Sequence, residues 1–186
     1  MNKINIWRIV QNHVRTLKNS SGKFSPGDIL FHIIFPAIIS LFLVYKTGII
    51  HKDILSSLVN FGAITTALLM SAVVMIYDQK NKVKEKLAEN HEKDRIKRQL
   101  SRRENLYSQL CHNICYSIIS SIIVVVLSIV CTFSWFEQTY PNSSLPPHDI
   151  YYSTFCTLSF IIYFFFSSTI ITFLMIMKRF SYVLES

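Results

Sequence analysis

Residues 78–112 read DQKNKVKEKLAENHEKDRIKRQLSRRENLYSQLCH and contain ten Lys or Arg against six Asp or Glu. This charged segment cannot enter a bilayer, and apolar stretches lie on both sides of it. With 51% hydrophobic residues, the 186-residue chain falls outside the usual range of soluble domains. The sequence therefore predicts an integral membrane protein whose central segment lies in water.

Four apolar stretches are long enough to cross a membrane as helices, which takes about 20 residues each. We expect these spans at residues 29–45, 54–77, 113–136 and 150–177. The third stretch is rich in β-branched residues, but an open strand would leave its backbone unpaired in lipid. The predicted fold class is an all-α membrane protein with four transmembrane helices, and Pro36 predicts a kink near Phe35 in the first of them.

The basic residues predict the orientation of these spans. Lys and Arg number five before the first span, two in the first loop, ten in the central segment, none in the second loop and two in the tail. By the positive-inside rule, both termini and the central segment are expected in the cytoplasm. The expected regions are a cytoplasmic amphipathic helix in 1–27, helices 1 and 2 in 28–77, a basic cytoplasmic helical hairpin at 78–112, helices 3 and 4 in 113–177 with an outer loop at 137–149, and a cytoplasmic tail at 178–186.

An amphipathic helix is predicted at residues 4–18. Its apolar residues at helical spacing are Ile6, Val10, Val14 and Leu17, and its basic residues lie largely elsewhere. One interpretation is an anchor on the lipid headgroups with Trp7 at the boundary. The other is a helix packed on the protein's own hairpin. At the opposite interface an aromatic belt is expected, which includes Trp135, Tyr151 and Tyr152.

Small residues mark a packing face on the second span. They are Gly62, Ala63, Ala67 and Ser71. Small residues four positions apart let two transmembrane helices approach closely. The partner helix can belong to the same chain or to another copy, and the sequence leaves both open.

The central segment is expected to form a hairpin with its turn near residues 89–93, because both ends must return to one membrane. Its second arm carries a basic cluster of Arg95, Lys97, Arg98, Arg102 and Arg103. One interpretation is a surface that binds an acidic protein or lipid headgroups. The other is a solvated helix face that only orients the protein. The net charge of +8 is concentrated beside apolar segments, so direct binding of nucleic acid is not expected.

The sequence predicts no catalytic, cofactor or metal site. Cys111 and Cys115 share a helix face, but His112 points about 100° away and no fourth ligand is evident. The other histidines are scattered, and neither a nucleophile motif nor a phosphate-binding glycine loop is present. A hydroxyl block at 167–169 follows three phenylalanines in the fourth span. It is interpreted either as ordinary packing or as the lining of a pore with a hydrophobic constriction.

Three stretches carry a resemblance to a known family: DILFHIIFPAII at 28–39, SAVVMIYDQKNK at 71–82 and LYSQLCHNICYSI at 106–118. With the basic segment between the last two, they resemble the membrane subunit of bacterial Kiwa anti-phage systems. The resemblance implies a homo-oligomer, a tetramer, that senses disturbance of the envelope by phage. It also implies a soluble DNA-binding partner bound on the cytoplasmic side.

Two functions are therefore expected as alternatives. The first is a non-enzymatic scaffold in the bacterial inner membrane that recruits a soluble effector through its cytoplasmic hairpin. The second is a triggered pore-forming effector that depolarises the membrane. The partners expected are the lipid bilayer, further copies of the chain and the effector.

Overall fold

The computed structural model describes residues 6–16, 27, 30–89, 94–133 and 150–185. Its helices are α1 (Ile6–Thr16), a π-helical turn (Leu30–Ile34) that leads into α2 (Phe35–Thr47), α3 (Lys52–Glu89), α4 (Asp94–Thr132) and α5 (Ile150–Glu185). No strand occurs in these ranges. Trp135, the outer loop at 137–149 and most of the turn expected at 89–93 lie outside the described residues.

The expected all-α fold with four long apolar helices is confirmed in the described residues. The segment Leu30–Thr47 and helices α3, α4 and α5 are each long and apolar enough to cross a bilayer. The β-branched run in the third span is part of α4, because transmembrane length and backbone pairing outweigh local strand propensity. Both α3 and α4 also extend beyond their apolar parts into the charged central segment.

The first span changes its helical geometry at the proline. The π-helical turn ends at Ile34, and regular α-helix starts at Phe35 with Pro36 at its beginning. Proline cannot donate a backbone hydrogen bond, so the change falls where the kink was predicted. The helix ends at Gly48, whose φ of 63° suits a residue without a side chain, and the Gly48 N–H donates to the Val44 carbonyl at 2.7 Å.

The chain divides into two compact units. The first consists of Met1–Ser25, Ala67–Ile118 and Thr172–Ser186, and the second of Pro26–Thr66 and Ile119–Ile171. Helix α1 belongs to the first unit and α2 to the second, whereas α3, α4 and α5 contribute to both.

An apolar core and a close helix contact hold the second unit together. The buried core side chains are Ile50, Leu55, Leu58, Val124, Ile162 and Tyr163. A Cβ atom on Gly62 would lie 2.5 Å from the Val125 side chain and 3.1 Å from the Ser121 carbonyl oxygen. Gly62 therefore permits the approach of α3 to α4, so the partner left open by the sequence is, for this residue, a helix of the same chain.

The other small residues of the packing face do not share that position. Ala63 in the second unit is exposed, and so are Ala67 and Ser71 in the first. A contact of these three residues with another copy remains a prediction.

The first unit includes one part each of α3, α4 and α5. Its buried core side chains are Leu69, Ile76, Leu110, Ile114, Ile118 and Ile176. Beyond this core, the Lys80 ammonium donates to the Ser108 hydroxyl at 3.3 Å and thereby links α3 to α4. The two arms of the charged segment are thus helical and in contact.

Candidate functional site: a basic helix face and a buried polar contact

The basic cluster forms a face on the charged part of α4, which precedes its apolar part. Arg95, Arg98 and Arg102 are spaced three and four residues apart, so their side chains leave the helix within about 60° of one another. Two shallow grooves of about 520 and 480 Å³ flank this face. The larger is lined by Leu87, Lys97, Arg98, Ser101 and Arg102, and the smaller by Arg95, Arg98, Gln99 and Arg102. Arg98 and Arg102 line both grooves and are the centre of the face.

Four members of the cluster are exposed cations. Arg95, Lys97, Arg98 and Arg102 are exposed, and none of them forms an ion pair with another described residue. Arg103 differs, because its side chain is half-buried and already engaged within the protein. The structure therefore divides the predicted cluster into four accessible cations and one internal residue.

The distance of the basic face from the apolar part of α4 bears on whether it can reach lipid headgroups or only soluble anions. Arg98 lies 15 residues before Asn113, where the apolar part of α4 begins, which corresponds to about 22 Å along the helix axis. The headgroup layer adds only about 5–7 Å to each side of the hydrocarbon core, and charges are screened within ~8 Å in physiological salt. Along the helix axis, Arg98 is therefore farther from the apolar part of α4 than the headgroup layer is thick.

A buried polar contact at the membrane end of α4 was not predicted from the sequence. The His13 Nδ1–H donates to the Asn113 Oδ1 at 2.9 Å, and both side chains are buried. The imidazole also stacks on the Tyr116 ring, with centroids 3.9 Å apart and an angle of 2° between the planes. The hydroxyl of Thr16 donates to the same Asn113 oxygen at 2.9 Å.

Helix α5 completes this contact. Its Arg179 Nη2 donates to the backbone carbonyl of Thr16 at 3.1 Å. Helix α1 is therefore fixed to both α4 and α5 by polar groups, in the first unit. We refer to His13, Thr16, Asn113, Tyr116 and Arg179 as the α1 clamp.

The expected apolar face of α1 needs a correction. Ile6 is 54% exposed, Val10 and Val14 are half-buried, and Leu17 lies outside the described residues. His13 is the buried residue instead, with 4% of its side chain exposed. His13 is three residues after Val10 and four before Leu17, so it lies on the same side of the helix as the predicted apolar residues. This spacing is the signal from which its burial could have been predicted. The predicted apolar set did not include His13.

The predicted membrane-interface residues are only partly described. Trp7 is 67% exposed on α1. Trp135 lies outside the described residues, and the side chains of Tyr151 and Tyr152 do as well.

The hydroxyl block of the fourth span faces the interior of its own unit. Ser167, Ser168 and Thr169 are buried, and the Thr169 hydroxyl donates to the Phe165 carbonyl of its own helix at 2.8 Å. This arrangement matches the packing interpretation, because a threonine in a transmembrane helix satisfies its hydroxyl in this way. A lining between copies of the chain would require these residues at the surface of the unit.

The cysteine and histidine residues near residue 112 do not gather into a metal site. Within the described ranges, no three His, Cys, Asp or Glu side chains are arranged to hold a metal ion. Cys111 and Cys115 are half-buried free thiols.

Comparison of the chain with family models, curated proteins and solved structures found no match.

Proposed function

We propose that this chain is a non-enzymatic sensor and scaffold of the bacterial inner membrane that acts in anti-phage defence. In this proposal it oligomerises in the membrane, with both termini in the cytoplasm. Its central segment recruits a soluble DNA-binding effector. The resemblance to the membrane subunit of Kiwa systems supplies the defence context, the tetrameric assembly and the kind of effector.

The observation that carries the recruiting role is the basic face of α4. Arg95, Arg98 and Arg102 project from one side of a helix with no ion pair in the described residues, about 16–27 Å beyond Asn113 along the axis. The positive-inside rule counts Lys and Arg within about 15–20 residues of the span ends, so it accounts for the presence of this charge but not for its concentration on one side of a helix. A cluster of exposed cations concentrated on one side of a helix fits an acidic protein surface, which it would attract by electrostatic complementarity.

The contact between the arms supports the same role. Lys80 and Ser108 join α3 to α4 below the basic face, so the face is carried on two helices rather than on a single projecting one. A supported surface loses less conformational freedom on binding. The arms continue directly into the second and third spans, which offers a route from a disturbance in the membrane to the surface that binds the effector.

The test is co-purification of the tagged chain with the product of the neighbouring gene, together with the plating efficiency of phage. The triple variant Arg95→Glu, Arg98→Glu and Arg102→Glu should lose the bound protein and the protection, while the oligomeric state stays unchanged. Lys84→Glu is the matched control, because Lys84 is an exposed cation of α3 outside the basic face. Undiminished co-purification of the triple variant would rule out this surface as the binding site.

A further inference from the structure

We infer that α1 is an anionic-phospholipid-binding element, fixed by its clamp at the depth of the headgroups and presenting Trp7 and Arg15 to the lipid. This site is separate from the basic face of α4 and needs no soluble partner. Its ligand is the phosphate of an anionic lipid headgroup.

Two residues of the α1 clamp indicate how deep α1 lies in the membrane. Asn113 starts the apolar part of α4, and the 20 residues from there to Thr132 equal one membrane crossing. In α5, the charged pair of Lys178 and Arg179 ends the long run of residues that carry no charge. Because both residues bind α1 directly, α1 lies at the boundary between hydrocarbon and headgroups.

The opposite side of α1 has the composition of a lipid-facing surface. At 100° per residue, Trp7, Arg8, Gln11 and Arg15 fall within a sector of about 100°, centred on the side opposite His13. All four are exposed. Tryptophan favours the interfacial layer because its ring is apolar and its N–H is polar, and arginine binds phosphate with paired hydrogen bonds.

Charge favours an anionic lipid over a zwitterionic one. Arg15 forms no ion pair with another described residue, and the described part of α1 has no Asp or Glu that would repel a phosphate. A basic residue near an anionic membrane surface contributes ~1 kcal/mol to binding.

The experiment uses the full-length chain in nanodiscs with Trp135→Phe, which leaves Trp7 as the single tryptophan, because the chain has two. The phosphatidylglycerol carries a nitroxide on its headgroup, which quenches nearby indole fluorescence, and nitroxide-labelled phosphatidylcholine at the same content is the comparison. We expect quenching of Trp7 that grows with the content of phosphatidylglycerol. Arg15→Gln should raise the phosphatidylglycerol content at half-maximal quenching by about fivefold, which corresponds to ~1 kcal/mol, whereas Lys84→Gln should leave it unchanged.

Three results would overturn the inference: no quenching of Trp7 in any lipid, equal quenching in phosphatidylcholine and phosphatidylglycerol, or an unchanged midpoint in Arg15→Gln. The first would place α1 in water, where a soluble protein could cover it. The second or the third result would mean that the indole inserts into the membrane as an apolar ring and that α1 does not bind an anionic headgroup. Because no effector is present, a negative result here leaves the recruiting role untouched.

Discussion

His13 and Asn113 lie 100 positions apart in the chain, yet the imidazole Nδ1 and the amide Oδ1 meet at 2.9 Å in a buried contact. This pair connects α1 to the start of the third span. Because the Thr16 hydroxyl donates to the same oxygen, loss of the imidazole removes one of two hydrogen bonds, about 0.5–1.5 kcal/mol, together with the stacking on Tyr116.

Removing the imidazole should therefore release α1. We expect His13→Ala to increase tryptic cleavage after Arg8 and Arg15 severalfold, because a helix must unfold locally before a protease can cut it. Gln11→Ala is the control, since Gln11 is exposed on the opposite side of α1. Cleavage is read by mass spectrometry of the chain in nanodiscs. Equal cleavage of the two variants would show that His13 does not hold the helix.

The close contact at Gly62 predicts a packing defect with a specific rescue. Gly62→Ala should lower the free energy of unfolding by about 1–3 kcal/mol, because the new methyl group overlaps the Val125 side chain. Val125→Ala in the same chain should recover part of this loss, as expected for two residues in contact. Stability is measured by unfolding in mixed micelles of mild detergent and SDS.

The control for this pair is Ala63→Leu, whose side chain is exposed. It should leave the stability of the single chain nearly unchanged. If association of copies weakens in Ala63→Leu, that face contacts another copy. A Gly62→Ala variant as stable as the wild type would contradict the contact between α3 and α4.

The distribution of Lys and Arg predicts the topology. Alkaline phosphatase, which is active only outside the cytoplasm, should be active when inserted in the loop at 137–149 and inactive when fused after Ser186. A fluorescent protein after Ser186 should be bright. Activity at the C-terminus would reverse the orientation and place the basic face of α4 outside the cell.

Much of the fold is readable from the sequence because membrane crossing imposes a length and a composition on each helix. The third span illustrates this, since its β-branched run predicts a strand until the need to pair the backbone in lipid is considered. The glycine turn at Gly48 and the irregularity before Pro36 follow from local chemistry in the same way.

Contacts between distant segments of the chain cannot be predicted from the length and composition of each helix. His13 meets Asn113 only because three helices converge, and the spacing of residues within α1 does not reveal a partner 100 positions away. The small residues show a related limit. Gly62 packs inside its unit whereas the neighbouring Ala63 is exposed, and a spacing of four residues along one helix cannot distinguish the two roles.

The basic face also predicts a dependence on salt. Binding of the effector should weaken strongly between low and physiological ionic strength, because exposed charges interact over a distance of only ~8 Å in 0.15 M salt. Arg103→Gln should change this dependence less than Arg98→Gln, since Arg103 is half-buried and engaged within the protein. The measurement is a binding titration of the two purified proteins at several salt concentrations. An effect of Arg103→Gln as large as that of Arg98→Gln would contradict the division of the cluster.

The most direct test of the recruiting role is photo-crosslinking in phage-infected cells. A photoreactive phenylalanine analogue at Gln99, which lines the groove beside Arg98 and Arg102, should capture one soluble protein, the product of the neighbouring gene. The same analogue at Glu85, which is exposed on α3, should capture it far less. Capture only of phospholipid at Gln99, or no adduct at all, would contradict the account.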